Sequence, residues 1–168
     1  MHTSNKWAGD YRFPVMIMDM PVDDTIERRS LKEESWREAC AERWYRSQDA
    51  GFDLGEHAIR LWVRMHWRGF VRARWIEHMQ GVRFWVELDR KEFGLLRRHD
   101  LVDVRELLDA IIDQLRCGAE NLDIVRWARK EKSPAEQATV KQLLTLIDVN
   151  AHRLRCFFCE DEPNLKDS

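Results

Sequence analysis

Tyrosine, glycine, proline and cysteine are all scarce in this chain of 168 residues, which has two, seven, four and four of them. With so few glycines there is no glycine-rich loop to cradle a phosphate. Neither a P-loop nor a GxSxG nucleophile elbow occurs, so nothing signals P-loop or α/β-hydrolase chemistry. Catalytic residues can also converge from distant positions, which leaves an enzyme of another layout open. The cysteines Cys40, Cys117, Cys156 and Cys159 are too few to frame a chain of this length with disulfides and read as thiols. No apolar run approaches the ~20 residues that span a bilayer, and the start of the chain lacks a basic stretch leading into a long apolar one. A soluble, cytoplasmic protein without a membrane role is expected. Neither sign of charge dominates: 28 Lys and Arg against 30 Asp and Glu leave a net charge of −2. Binding to nucleic acid would therefore have to rest on a local patch.

Tryptophan is the residue in surplus, with eight in the chain, at positions 7, 36, 44, 62, 67, 75, 85 and 127. Its large area favours a bulky helical core over a ligand pocket or a base-stacking platform.

The chain is organised around the stretch from Asp53 to Gln80. Asp53 followed by Glu56 has the spacing of a capping box, which starts a helix near Leu54. At about 100° per residue, Ile59, Trp62, Val63, His66, Phe70 and Ala73 gather on one side, while Leu61, Met65, Val71, Trp75 and Met79 spread over the rest. A helix apolar nearly all round must be covered by others. Its exceptions are Arg60, Arg64, Arg68 and Arg72 at spacing four, with Arg74 beside them, and no acidic residue intervenes between His57 and Ile76. Each step of four advances about 40°, so the ladder winds across the surface, with arginine stems on apolar neighbours and heads wet or paired. Asp19, Asp23, Asp24, Glu27, Glu33 and Glu34 are the acidic residues available to meet them internally.

Residues 1–24, with Pro14 and Pro21, have no helical periodicity and read as an irregular segment on a single helical domain spanning 25–159. Residues 160–168 read as a frayed tail. Ser30 with Glu33 starts a helix that places Trp36, Cys40 and Trp44 on one face, away from its glutamates, and Gly51 ends it. Residues 82–88 alternate at period two yet also fit a helix. As a strand, their evident partner is the apolar run Val15 to Met18, giving at most a two-stranded ribbon. Asp89 with Glu92 predicts a short helix to about Arg97, weakened by Gly94. Asp100 caps an amphipathic segment with Val104, Leu107, Leu108, Ile111, Ile112 and Leu115 inward, closed by Gly118. Asn121 opens a helix carrying Leu122, Val125 and Ala128, and Ser133, Pro134 and Glu136 open the last. There Val140, Leu144, Ile147, Ala151, Leu154 and Phe158 follow a heptad seam, read as internal to a bundle. The expected fold is all-α: a compact bundle of five or six helices around the central helix at about 54–80, with room for one short two-stranded β ribbon.

Three constellations carry candidate chemistry. His152, Cys156 and Cys159 would share one helix face and hold a metal ion if the last helix continued, though Phe157 and Phe158 between the thiols suggest packing instead. No cofactor is implied. Trp62, His66, Phe70 and Glu77 are the candidates for lining a small-ligand pocket in the bundle, with His66 read first as a core histidine. The Arg60 to Arg74 ladder, interleaved with Trp67 and Trp75, has the residue types of a nucleic-acid surface. A helix that reads nucleic acid, however, exposes a polar face. The leading expectation is an interaction or regulatory module that acts through contact with another protein or its own copy. An internal ligand, metal or enzyme site ranks second and nucleic acid last.

Overall fold

The computed structural model describes residues 25–149, 151 and 153–158. Chain order runs from strand β1 (Arg28–Arg29) to helices α1 (Leu31–Ala50) and α2 (Gly55–Met79), then strand β2 (Phe84–Trp85). Three 3-10 turns follow (Arg90–Glu92, Leu95–Arg97, His99–Val104), and then helices α3 (Arg105–Arg116), α4 (Asn121–Glu131) and α5 (Pro134–Ile147). The fold is an all-α bundle with a small β ribbon. α1 lies along α2, α4 along α5, and α3 touches both α2 and α5. Among the described residues no helix is long and apolar enough to cross a membrane.

Local signals mark both ends of α1. Ser30 Oγ accepts the Glu33 N–H at 3.3 Å, and Gly51 at φ 78° turns the chain out of the helix. Its inner face is made of Leu31, Ser35 and Ala39, all fully buried where α1 lies along α2. Trp36 therefore falls about 100° round from Ser35, on the flank. It is 47% exposed and Trp44 59%, so the expected inward tryptophan face is turned out.

α2 begins without the expected capping box. Asp53 Oδ1 accepts the Gly55 N–H at 2.9 Å, but Glu56 reaches forward to Arg60 instead of back to the cap. Ile59, Trp62, Phe70, Val71, Trp75, Ile76 and Met79 are buried, whereas Arg64, Met65 and His66 face outward. The helix is thus covered on one side along its first half and enclosed only along its second.

Residues 82–88 contain a two-residue strand that pairs in parallel with Arg28–Arg29, in the register Arg28↔Phe84 and Arg29↔Trp85. The Phe84 N–H donates to Glu27 O and the Val86 N–H to Arg29 O. Val15 to Met18, the expected partner, lies outside the described residues. Burial does not follow the alternation: Trp85 and Leu88 are buried while Val82 and Val86 are more than half exposed.

The segment after β2 folds as 3-10 turns rather than one helix, because Gly94 at φ 72° breaks it. Asp89 caps only the first turn, and Asp100 pairs with Arg98 at 2.8 Å instead of capping α3. α3 does bury Leu108, Ile111, Ile112 and Leu115. α4 buries Ile124 and Ala128, with Leu122 57% exposed. α5 forms its capping box, with Glu136 Oε2 accepting the Ser133 N–H at 2.9 Å.

The heptad seam does not continue. α5 ends at Ile147, where Asp148 adopts a left-handed conformation at φ 42°, and Ala151, Leu154 and Phe158 follow outside it. Leu154 offers its carbonyl to the Trp67 indole at 2.8 Å, an acceptor that a helix interior would already have engaged. Phe157 and Phe158 still reach the aromatic cluster, packing edge-on against Trp67.

Candidate functional site

The arginine ladder diverges as its 40° steps require. Arg60 pairs with Glu56 at 3.1 Å on the surface, and Arg64 is exposed. Arg68 and Arg72 both reach Glu120 Oε1, at 3.0 and 2.8 Å, and Arg72 also donates to Ala119 O at 3.2 Å. Arg74 turns the other way to Glu38 at 2.9 Å and lies 4.7 Å over the Phe70 ring. The acidic partners are therefore mostly not those of the opening segment. Glu27 and Glu34 serve Arg29, Arg83 and Arg37, and Asp19, Asp23 and Asp24 lie outside the described residues. The five guanidiniums form no continuous basic strip.

Two of them do converge on a cleft of about 210 Å³, lined from α2 by Trp67, Arg68, Val71, Arg72 and Trp75 and from the segment after α5 by Val149, Arg153 and Leu154. The Arg72 side chain is 10% exposed and that of Arg68 63%. The Arg72 hydrogen bond, reinforced by the charges of Arg72, Arg68 and Arg153, holds the Glu120 carboxyl below the ordinary carboxylate range.

A second, open groove of about 540 Å³ lies at the α1–α2 turn, lined by Cys40, Arg43, Trp44, Ser47, Gln48, Gly51, Phe52 and Asp53. Arg43 grips Asp53 with both Nε and Nη2, and the Leu54 N–H donates to Ser47 Oγ at 3.0 Å. The Arg43 hydrogen bonds, followed by the Gly55 N–H, hold the Asp53 carboxyl well below its usual range. Trp44, Tyr45 and Phe52 are 59%, 62% and 65% exposed beside it, the first two rings in edge contact at 5.0 Å.

The pocket candidates are not gathered around one cavity. Trp62 and Phe70 are buried core residues with ring centres 5.8 Å apart, and His66 is exposed on their outer side, its ring 6.3 Å from Trp62. The core-histidine reading of His66 is corrected accordingly: among the described residues its side chain is exposed on α2. Glu77 lies further along α2, accepting from Trp85 Nε1 at 3.3 Å and pairing with Arg74 and Arg83.

Among the described residues the buried histidine is His78, which the sequence did not single out. Its Nδ1 accepts the Trp85 N–H at 3.1 Å, so the proton sits on Nε2, which donates to Asp89 O at 2.9 Å. Phe84 and Phe93 flank the ring. A signal was present, since position 78 lies three and seven residues beyond Trp75 and Val71 and so shares their side of α2.

Of the metal candidates, His152 and Cys159 lie outside the described residues, and Cys156 sits half-buried in a non-helical stretch. Among the described residues 153–158 there is no helix to align the three. Among the described residues no three side chains of metal-ligand type cluster. No family model, curated protein or solved structure matches this chain.

Proposed function

We propose that this protein acts through protein–protein contact, with a second copy of itself as the occupant of the outer side of α1. The observation that carries this reading is the placement of Trp44, Tyr45 and Phe52, which present large aromatic area to solvent at the end of α1 and in its following turn, with Trp36 half-exposed on the same helix beside its edge contact with Phe158. Tryptophan and tyrosine are the residues most enriched where interfaces draw their binding energy, and contiguous apolar surface of this kind promotes association.

Self-pairing is favoured by the order of residues along α1. Trp36 and Trp44 are each four positions from Cys40, so a two-fold axis through Cys40 sets Trp36 of one copy against Trp44 of the other, in the self-complementary manner of a two-fold dimer. The same axis brings Arg37 near Arg43 of the second copy. Each is already neutralised within its own chain, by Glu34 and Asp53 respectively, so the like charges do not oppose the pairing unscreened.

Sedimentation velocity across a dilution series tests this. Dimerisation that is lost in Trp44→Asp, with the helical content of the variant unchanged, is the expected result. A wild-type chain that sediments as a monomer at every concentration overturns it.

A further inference from the structure

A separate site, independent of the α1 surface, lies in the smaller cleft. We infer that the cleft between α2 and the segment after α5 binds the phosphate group of a small phosphate monoester carried on an apolar ring. Its electrostatics come from Arg68 and Arg72, which stand one helical turn apart and converge on a single oxygen, Glu120 Oε1, at 3.0 and 2.8 Å. Two guanidiniums share one carboxylate, so the group keeps one positive charge beyond its internal partner. Arg153 lines the same cleft and its charge acts on the same carboxylate.

Glu120 marks where an oxyanion is already accepted. Its carboxylate bridges both cations with one oxygen, and a guanidinium presents five donors in a planar fork suited to oxyanions. The Arg72 side chain is nine-tenths buried, so an anion reaching it is met in a medium less screening than water. A phosphate monoester offers three terminal oxygens and reaches both forks across the ~6 Å rise that separates residues four apart on a helix.

The remaining walls set what the phosphate is attached to. Trp67, Val71 and Leu154 make an apolar side, and the Trp67 indole is fixed by its 2.8 Å bond to Leu154 O. At about 210 Å³ the space is below the ~300 Å³ at which pockets for drug-sized ligands begin. A cleft of that size suits one ring and one oxyanion better than a dinucleotide.

Calorimetric titration of the full chain at constant ionic strength with phenyl phosphate, inorganic phosphate and phenol tests the assignment, with the Trp67 indole N–H followed by NMR. Phenyl phosphate should saturate one site and move the Trp67 resonance, inorganic phosphate should bind the same site several-fold more weakly, and phenol should not bind. Arg68→Glu lies on a largely exposed side chain and so leaves the fold intact; it should weaken phenyl phosphate about tenfold or more, the scale of one charge-assisted contact. Arg72→Lys keeps the charge but loses the fork and should also weaken binding, while Glu120→Gln removes the competing charge and should tighten it. Equal binding of phenol and phenyl phosphate, or affinity unchanged in Arg68→Glu, overturns the proposal. A short single-stranded oligonucleotide that binds far more tightly than phenyl phosphate overturns it as well, in favour of a polynucleotide surface.

Discussion

The Glu87 carboxylate accepts the backbone N–H of Leu31 at 2.7 Å across 56 positions of sequence, and so serves as a cap for a helix it does not belong to. The Lys32 N–H at 3.2 Å and the Ser30 hydroxyl bind the same side chain. The start of α1 thus depends on residues just past β2. Replacing Glu87 by Ala should strip three donors of their acceptor and lower stability by about 1–3 kcal/mol, with Gln recovering part of the loss. Urea denaturation followed by circular dichroism measures both; equal stability of wild type and Glu87→Ala would refute the capping role.

His78 should be similarly sensitive. Phe in its place fills the space between Phe84 and Phe93 but leaves the Trp85 N–H without its acceptor, while the Asp89 carbonyl keeps the Glu92 N–H at 3.0 Å. A loss of roughly 1–3 kcal/mol is expected in the same denaturation experiment. Hydrogen exchange of the Trp85 amide should accelerate relative to its neighbours.

Gly81 carries two demands at once. Its φ of 65° suits a residue without a side chain, and an added Cβ would come within 3.2 Å of the Gly94 backbone. Gly81→Ala is expected to lower stability by about 1–3 kcal/mol, whereas Gly118→Ala, where a Cβ meets nothing within 4 Å, carries only the conformational part. Parallel thermal melts of the two variants separate the contact from the dihedral strain.

Acid should unfold the protein through its paired carboxylates. Asp53, Glu27, Glu120 and Glu136 all have folded-state values below the ordinary range, Asp53 most of all, through its bonds to Arg43. A depressed carboxyl contributes stability that is fully present above its unfolded value, near ~4, and is lost as pH falls through the folded one. Melting temperature should therefore be flat with respect to these groups above about pH 5 and fall below pH 4. In Asp53→Asn the acid slope should be shallower, and an identical slope would show that the Arg43 pair does not contribute.

The two-fold arrangement proposed for α1 sets Cys40 against its own copy. In a chain whose other three cysteines are replaced by serine, a mild oxidant should give a disulfide-linked dimer on non-reducing electrophoresis. Trp44→Asp in that background should abolish it. Monomer that stays uncrosslinked while sedimenting as a dimer would place the axis elsewhere.

What was legible in the chain was what is local. Ser30, Gly51, Ser133 and Glu136 act within one turn of themselves, and the 3.6-residue period of α3 needs only a neighbour of any kind. Misreadings came where a distant residue decided. α1 buries Ser35 and Ala39 and leaves Trp36 and Trp44 turned outward, although spacing four alone suggested a core face. The seam through Phe158 had the right residues but not the right backbone, because nothing near Leu154 announces that its carbonyl is wanted by Trp67. The pairing of β2 with Arg28–Arg29 leaves Trp85 and Leu88 buried and Val82 and Val86 exposed, a pattern that alternation alone does not give. The cleft at Arg68 and Arg72 was half visible: the ladder was seen, but the carboxylate that gathers two of its rungs comes from the turn before α4.

Pairing Arg28–Arg29 with Phe84–Trp85 gives the α1–α2 hairpin a clasp at the end opposite its turn. A protease cutting at exposed Phe52 would therefore sever the polypeptide without releasing either half, since each helix stays tethered at the far end and zipped along its length. The nicked product should run as two bands in denaturing gels yet elute as one species under native conditions.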